Sequence, residues 1–165
     1  MNDWSAYLAA PLFNERERRF NSELADALSS CCDVFLPQRD GLLLVDLLRD
    51  GVSPDIAEIR IFERDRIALM RCNLLIAVLD GAHIDEGVAF EVGFAHARGA
   101  LCLGLQSDAR RALPSGNNPM IGQAMSAIFT DVAPLIAFLA DHQPSSRASG
   151  QKDGSSVSAL LPSEG

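Results

Sequence analysis

Short apolar runs that alternate with longer helix-like segments constrain the fold of this chain more than any other feature of its sequence. Such alternation is typical of a parallel sheet that is covered by helices on both faces. We therefore expect a three-layer α/β sandwich with a parallel sheet of about five strands. The strand-like runs lie near Ala6–Ala9, Asp33–Leu36, Leu74–Leu79, Ala100–Leu105 and, more weakly, Ala127–Phe129.

The first interval between strands is predicted to be a helix from about Asn14 to Ser29. Asn14 is a residue type that caps helix N-termini well, because its side chain accepts a hydrogen bond from the first helical turn. Phe20, Leu24 and Leu28 recur every four residues, so they share one face of the helix. We expect this face to pack on the sheet.

Three further helices are predicted downstream. One covers Pro54–Cys72, either continuous or broken, and another begins near Gly87 and ends before Gly99, a residue suited to the left-handed position that stops a helix. A short one covers Pro134–Asp141. In the helix over Pro54–Cys72, four apolar side chains are expected to face the core: Ile56, Ile59, Ile67 and Met70.

Length and composition indicate a single soluble domain. The chain has 165 residues, of which 48% are hydrophobic and 22% charged, and its longest apolar runs are much shorter than the roughly 20 residues that cross a bilayer. We expect residues 1–142 to form one catalytic domain. Residues 143–165 are rich in Ser, Gly and Pro and are expected to be a disordered tail.

The charge and the cysteines bear on location and partners. The N-terminus lacks the basic region of a signal peptide, and the four cysteines show neither zinc-site nor disulfide spacing, so a cytoplasmic location is expected. A net charge of −8 would repel a nucleic acid polymer. A small neutral ligand is the better prediction, with no membrane partner.

No cofactor or metal is expected. The first strand is followed by "AAPLFNE", which lacks the glycine fingerprints of phosphate loops and dinucleotide sites. No two His, Cys or carboxylate positions show a metal-ligand spacing that their context supports.

The segment after the third strand is the most informative part of the chain. Ligands of open parallel sheets bind at the carboxyl ends of the strands, and "LDGAHIDEGVAFEVGFAHARG" follows that strand. Glu91 stands there between Phe90 and Val92, inside a predicted helix. Either it is an exposed helix residue or a cap of the preceding loop, or it is a carboxylate at the top of the sheet. In the second case the helix dipole would favour its ionised, nucleophilic form.

Five segments, taken in order, resemble the nucleoside 2-deoxyribosyltransferase family over about Tyr7 to Met120: "YLAAPLF", "FLPQRDG", "IFERDRIALMRCNLLIAVLDG", "DEGVAFEVGFAHARG" and "NPM". Each segment alone is weak, but their order and spacing together are fairly specific. The resemblance implies a flavodoxin-like enzyme that transfers a 2-deoxyribosyl group between nucleobases. Retention at the anomeric carbon would require a covalent glycosyl-enzyme intermediate.

The resemblance also implies three catalytic residues. Glu91 matches the nucleophile, and Tyr7, at the end of the first strand, matches a tyrosine whose hydroxyl orients it. Asp65 matches a carboxylate near the base that is able to protonate the leaving group. From the residues alone, Tyr7 could be a core aromatic, and Asp65 could lie on a solvated helix face.

Three substrate-binding residues follow from the same resemblance. Asp85 matches a carboxylate that contacts the deoxyribose or the base, although it could simply cap the helix that begins at Gly87. Phe13 could stack on a base or act as a hydrophobic staple for the first helix. Gln38 can offer a donor and an acceptor to a base edge, or be a turn residue.

Asn118 and Met120 match family positions that reach the active site of a neighbouring subunit, which implies a homo-oligomer; the alternative is a turn without function. Ala9 stands where the family has a glycine near the sugar. This departure leaves room for a hydrolase, a nucleoside or nucleotide N-glycosidase that uses the same glutamate. A non-catalytic nucleoside-binding module is the third alternative.

Overall fold

The computed structural model describes residues 4–110, 113 and 116–144. Apart from its first two residues, the expected disordered tail therefore lies outside the described residues. Within them, five strands are present: β1 (Trp4–Ala9), β2 (Cys32–Phe35), β3 (Leu74–Val78), β4 (Leu101–Leu105) and β5 (Ala127–Phe129). They form one parallel sheet with the order β2-β1-β3-β4-β5. The predicted sheet is confirmed.

Helices occupy the connections on both sides of the sheet. The four predicted helices are present. Three short helices of 4 to 6 residues were not predicted, because they are too short to show a helical period. In chain order the helices are α1 (Glu15–Leu28), α2 (Pro37–Asp40), α3 (Leu44–Arg49), α4 (Pro54–Arg71), α5 (Glu86–Ala97), α6 (Pro119–Ala124) and α7 (Val132–Asp141).

The start of α1 follows from its sequence. Asn14 caps the helix by accepting from the Glu17 backbone N–H at 3.1 Å, and the Glu17 side chain accepts in return from the Asn14 N–H at 3.2 Å. This reciprocal arrangement satisfies two backbone donors that the helix itself leaves unpaired. Leu24 and Leu28 are buried, as their spacing predicted.

Helix α4 differs from its prediction. It is continuous, and the four side chains expected in the core, Ile56, Ile59, Ile67 and Met70, are all exposed. The core side of α4 instead carries Ala57 and Leu69, which are buried. Apolar residues occur on two sides of this helix, so a count of apolar positions selected the wrong side. Asp65 lies two turns after Ala57 and one turn before Leu69, and it therefore shares their side.

Two apolar layers hold the sheet. Helices α1 and α7 pack on one face, with Leu8, Ile76 and Leu103 of the strands. Helices α4, α5 and α6 cover the other face, on which Tyr7 and Leu75 point outward from the sheet. The chain crosses from one side of β1 to the other between β2 and β3. This change of direction is the switch point at which open α/β sheets bind ligands.

Within the described residues, no helix combines the length and the apolar character that a membrane span requires. The four cysteines are free thiols. No group of three or more His, Cys, Asp and Glu side chains in the described part of the chain is arranged to hold a metal ion.

Candidate active site

The Tyr7 hydroxyl and the Glu91 carboxylate meet beside the switch point. Tyr7 lies two residues before the end of β1, slightly earlier than expected, and its side chain is fully buried. Glu91 projects from the second turn of α5. The hydroxyl donates a hydrogen bond to Glu91 Oε1 at 2.5 Å. The only tyrosine of the chain thus holds the carboxylate that stood out in the sequence.

Burial controls the protonation of this pair. It raises the pKa of Glu91 to about 8; the hydrogen bond from Tyr7 acts in the opposite direction, and the charges of Asp65 and Asp85 add to the rise. Burial, followed by the charge of Glu91, also raises the pKa of Tyr7, so its hydroxyl remains a donor. Burial therefore favours the protonated form of Glu91.

Asp65 is the second carboxyl of the site. It is half-buried rather than on a solvated helix face, and its Oδ1 is buried without a hydrogen-bond partner among the described residues. Burial raises the pKa of Asp65 to about 6, against the opposing effect of the Arg64 charge. A carboxyl with a pKa near neutrality and an unpaired oxygen can take up or give a proton during a reaction.

Glu91 and Asp65 line one cavity of about 300 Å³ between α4 and α5. The walls are mainly apolar and include Leu69, Phe62 and Phe90, and the two phenylalanine ring centroids lie 6.4 Å apart. Neither aromatic residue was predicted from the sequence to be part of the site. Their positions held a signal, because Phe62 lies one helical turn before Asp65 and Phe90 directly precedes Glu91.

Asp85 makes the contacts of a helix cap. Its Oδ1 accepts hydrogen bonds from the backbone N–H groups of Gly87 at 2.9 Å and Val88 at 3.1 Å. It is therefore the N-cap of α5, the helix that carries Glu91. Its charge also contributes to the raised pKa of Glu91, so the Asp85 carboxylate lies within electrostatic reach of the site.

Gln38 contacts the first half of α1, and Phe13 directly precedes the N-cap of that helix. The Gln38 amide donates to the Arg18 carbonyl at 2.7 Å and to Ser22 Oγ at 3.1 Å, and it accepts from Asn21 at 3.1 Å. It would have to exchange one of these partners to contact a base. Phe13 is 75% exposed, so it does not act as a hydrophobic staple.

Asn118 and Met120 do not line the cavity of Glu91. They line a larger cavity of about 530 Å³ between α5 and α6, on the opposite side of α5. Asn118 caps α6 by accepting from the Met120 N–H at 2.9 Å, and the Met120 side chain is 82% exposed. Within one chain, the structure thus separates these two residues from the pair of Glu91 and Tyr7.

These features define a class of protein: a flavodoxin-like α/β enzyme with a half-buried pair of carboxyls at the switch point of its sheet. The family model described as nucleoside 2-deoxyribosyltransferase matches residues 6–152 of the chain. The protein therefore belongs to the nucleoside 2-deoxyribosyltransferase family. Among proteins with curated functions, none matched it in sequence.

Solved structures share the fold at low sequence identity. A 2-deoxyribosyltransferase from Bacillus psychrosaccharolyticus is 21% identical with a TM-score of 0.68, over 82% of this chain and 95% of that one. A 2-desoxiribosyltransferase from Leishmania mexicana is 20% identical, with a TM-score of 0.59 and coverages of 84% and 98%. A CMP N-glycosidase from Clostridium botulinum is 18% identical, with a TM-score of 0.50 and coverages of 82% and 98%.

Proposed function

We propose that this protein transfers a 2-deoxyribosyl group from one nucleobase to another, with Glu91 as the nucleophile. One observation carries the proposal: Glu91 is held by Tyr7 in a cavity that it shares with Asp65, in a chain of this family. A carboxylate that forms a covalent glycosyl-enzyme, together with an acid for the leaving group, is what substitution with retention requires.

In the first step, a Glu91 carboxylate oxygen attacks the anomeric carbon of the sugar. The bond between this carbon and the base nitrogen breaks, and its electron pair stays on the base, which takes a proton from Asp65. In the second step, a nitrogen of the incoming base attacks the same carbon. The ester bond to Glu91 then breaks, and the proton of the incoming nitrogen returns to Asp65. Two inversions give retention.

The cycle begins with one proton on the pair of carboxyls. Because burial raises the pKa of Glu91 to about 8 and that of Asp65 to about 6, the two carboxyls together hold one proton near pH 7. The reactive form has this proton on Asp65. A bound base that accepts a hydrogen bond from protonated Asp65, and the hydrogen bond from Tyr7 to ionised Glu91, both favour that form.

Three other residues are proposed to bind the substrate. The charged Asp85 lies close enough to Glu91 to affect its pKa, and it is proposed to bind the sugar or the base. The exposed ring of Phe13 offers a face on which a base could stack. Gln38 would contact a base edge by releasing one of its partners in α1.

We further propose that the substrate is a nucleoside rather than a nucleotide. The cavity of Glu91 is lined by two further carboxyls, Glu58 and Asp65, and by one cation, Arg66. The two arginines that flank Asp65 in the sequence have other partners: Arg64 binds the Asp40 carbonyl and Arg66 pairs with Glu63. A phosphate dianion would meet three carboxyls, and the charge of Arg66 is already shared with Glu63.

We also propose a homo-oligomer in which a neighbouring subunit completes each active site. Asn118 and Met120 line the cavity on the other side of α5, away from Glu91 of their own chain. Met120 is highly exposed, as expected for a side chain that meets a second subunit. The half-exposed rings of Phe62 and Phe90 also leave the cavity of Glu91 open at its outer side.

The test is base exchange. The protein is incubated with thymidine or deoxyinosine together with free adenine, and products are separated by chromatography; deoxyadenosine is expected. Glu91→Gln is the matched control and should lower the rate by several orders of magnitude. Brief exposure to a 2-fluoro-2-deoxy nucleoside followed by intact mass spectrometry should show a sugar adduct that the Gln variant lacks.

Other outcomes separate the alternatives. Free base and free sugar without an acceptor, but with the adduct on Glu91, would indicate an N-glycosidase in place of a transferase. Binding of nucleosides without exchange, hydrolysis or adduct would indicate a non-catalytic binding module and would refute the enzymatic proposal.

A further inference from the structure

The ring of Tyr7 is held by contacts that the proposed chemistry does not use. Tyr7 in β1 pairs in register with Phe35 in β2, and their rings stack with centroids 5.5 Å apart and planes at 19°. The Arg64 guanidinium of α4 lies 5.7 Å from the centroid of the Phe35 ring. Arg64 is fixed in turn by hydrogen bonds of 3.2 and 2.9 Å from Nε and Nη2 to the Asp40 carbonyl.

We propose that Phe35, whose ring contacts both the Tyr7 ring and the Arg64 guanidinium, is a positioning residue that fixes the tilt of the Tyr7 ring and so directs its hydroxyl at Glu91. The phenolic oxygen is at the far end of the ring, so a tilt of about 10° at Cβ displaces it by about 1 Å. A catalytic hydrogen bond tolerates little of such movement. Phe35 contacts no reacting atom in this proposal, because it acts through Tyr7.

The electrostatics agree with this arrangement. The hydrogen bond from Tyr7 is the contact that lowers the pKa of Glu91 against the effects of burial and of neighbouring charges. If Phe35 keeps that bond aligned, its loss weakens the stabilisation of ionised Glu91. The charge of Arg64 also lowers the pKa of Asp65. A substitution of Arg64 therefore alters both its contact with the Phe35 ring and the pKa of Asp65, whereas a substitution of Phe35 alters only the contacts of its ring.

The chain offers a matched control for Phe35. Phe129 lies on β5, the strand at the opposite edge of the sheet, and it is half-buried like Phe35. Its ring contacts Phe138 with centroids 5.5 Å apart, within the other apolar layer. Phe129→Leu therefore removes a comparable aromatic contact from an edge strand without touching Tyr7.

The experiment is a double-mutant cycle read by carbon NMR titration of the Glu91 carboxyl. We expect Tyr7→Phe to raise the pKa of Glu91 and Phe35→Leu to raise it by part of that amount. Phe35→Leu should add nothing in the Tyr7→Phe background, and Phe129→Leu should leave the titration unchanged. Phe35→Tyr, which keeps a stacking ring, should behave as the wild type.

The rate effect rests on the proposed function, whereas the titration does not. In the exchange assay, Phe35→Leu should lower kcat about tenfold with little change in KM. In the Tyr7→Phe background, the same substitution should lower kcat less than twofold.

Three results would overturn the proposal: equal shifts of the Glu91 pKa in both backgrounds, a lowered Glu91 pKa caused by water entry, or the same shift in Phe129→Leu. If Phe35→Leu does not fold, Arg64→Lys, which keeps the charge beside Asp65 but loses the planar group, takes its place. If Glu91 titrates as expected in all variants but the wild type cleaves no nucleoside, only the proposed function is refuted.

Discussion

Glu91 and Asp65 are both carboxylic acids in one cavity, but their surroundings separate their pKa values. Burial raises both, and Glu91 is raised further by the charges of Asp65 and Asp85, whereas Arg64 restrains the rise at Asp65. Two acids with separated pKa values hold a single proton over the interval between them. A glycosyl transfer through a nucleophile and an acid uses this singly protonated state.

This state predicts a bell-shaped pH dependence of kcat/KM. Below about pH 6 the second proton binds and no carboxylate remains to attack; above about pH 8 the last proton leaves and no acid remains. We therefore expect a maximum between pH 6 and 8, measured as initial rates of base exchange at low substrate concentration.

Asp65→Asn is the control for this assignment. Without Asp65 as acid, the maximal rate should fall by about 100-fold or more. The remaining activity should rise with pH to a plateau, because only Glu91 then has to ionise. That rise should come at a lower pH than about 8, since the Asp65 charge raises the pKa of Glu91. A flat profile from pH 5 to 9 in the wild type would contradict the mechanism.

At the scale of elements, α4 shows what the sequence could and could not predict. Strands and long helices were predicted closely, because alternation and capping residues are local signals. Asn14 caps the start of α1 as expected, and Gly99, whose φ is 79°, follows the end of α5 in the left-handed conformation. The side of α4 that faces the core is decided by its packing partners. Its apolar residues occupy two sides, so the pattern could not select one.

The same distinction applies to the site. Glu91 and Asp65 could be proposed from the resemblance, because it rests on short segments that are local in the sequence. The contacts of Gln38 with α1, and the aromatic walls Phe62 and Phe90, arise where separate elements meet. Long-range contacts of this kind leave no periodic trace in one sequence.

Asp85 caps α5 and is also proposed to bind substrate, and one pair of substitutions can separate these roles. Asp85→Ala removes the cap and should lower the free energy of unfolding by about 1 kcal/mol, measured by urea denaturation. Asp85→Ser keeps a capping oxygen without the charge, so its stability should stay close to that of the wild type. If Asp85 also binds substrate, KM should rise in both variants. An unchanged KM in Asp85→Ser would leave Asp85 with the capping role alone.

For the whole molecule, the outer side of α4 bears on assembly. Together with Phe90, five apolar residues of α4 are between 39% and 62% exposed: Ile56, Ile59, Phe62, Ile67 and Met70. A specific interface of standard size buries roughly 800 Å² per partner, and homodimer interfaces are about 65% apolar, so an apolar surface of this kind suits a contact between subunits. The residues that the sequence predicted to be buried would then be buried between subunits.

Shared active sites make a quantitative prediction for mixed subunits. Glu91→Gln removes the nucleophile, and the double variant Asn118→Ala, Met120→Ala removes the side chains proposed to serve the neighbouring site. Each should be nearly inactive alone. In a dimer that exchanges subunits at random, about half of the dimers are mixed, and each mixed dimer has one intact site of two. About a quarter of wild-type activity should therefore return.

The control is a mixture of Glu91→Gln with Tyr7→Phe. It should restore no activity, because these two side chains meet within one chain. Restoration in the control, or none in the test mixture, would contradict a site completed by Asn118 and Met120 of a second subunit.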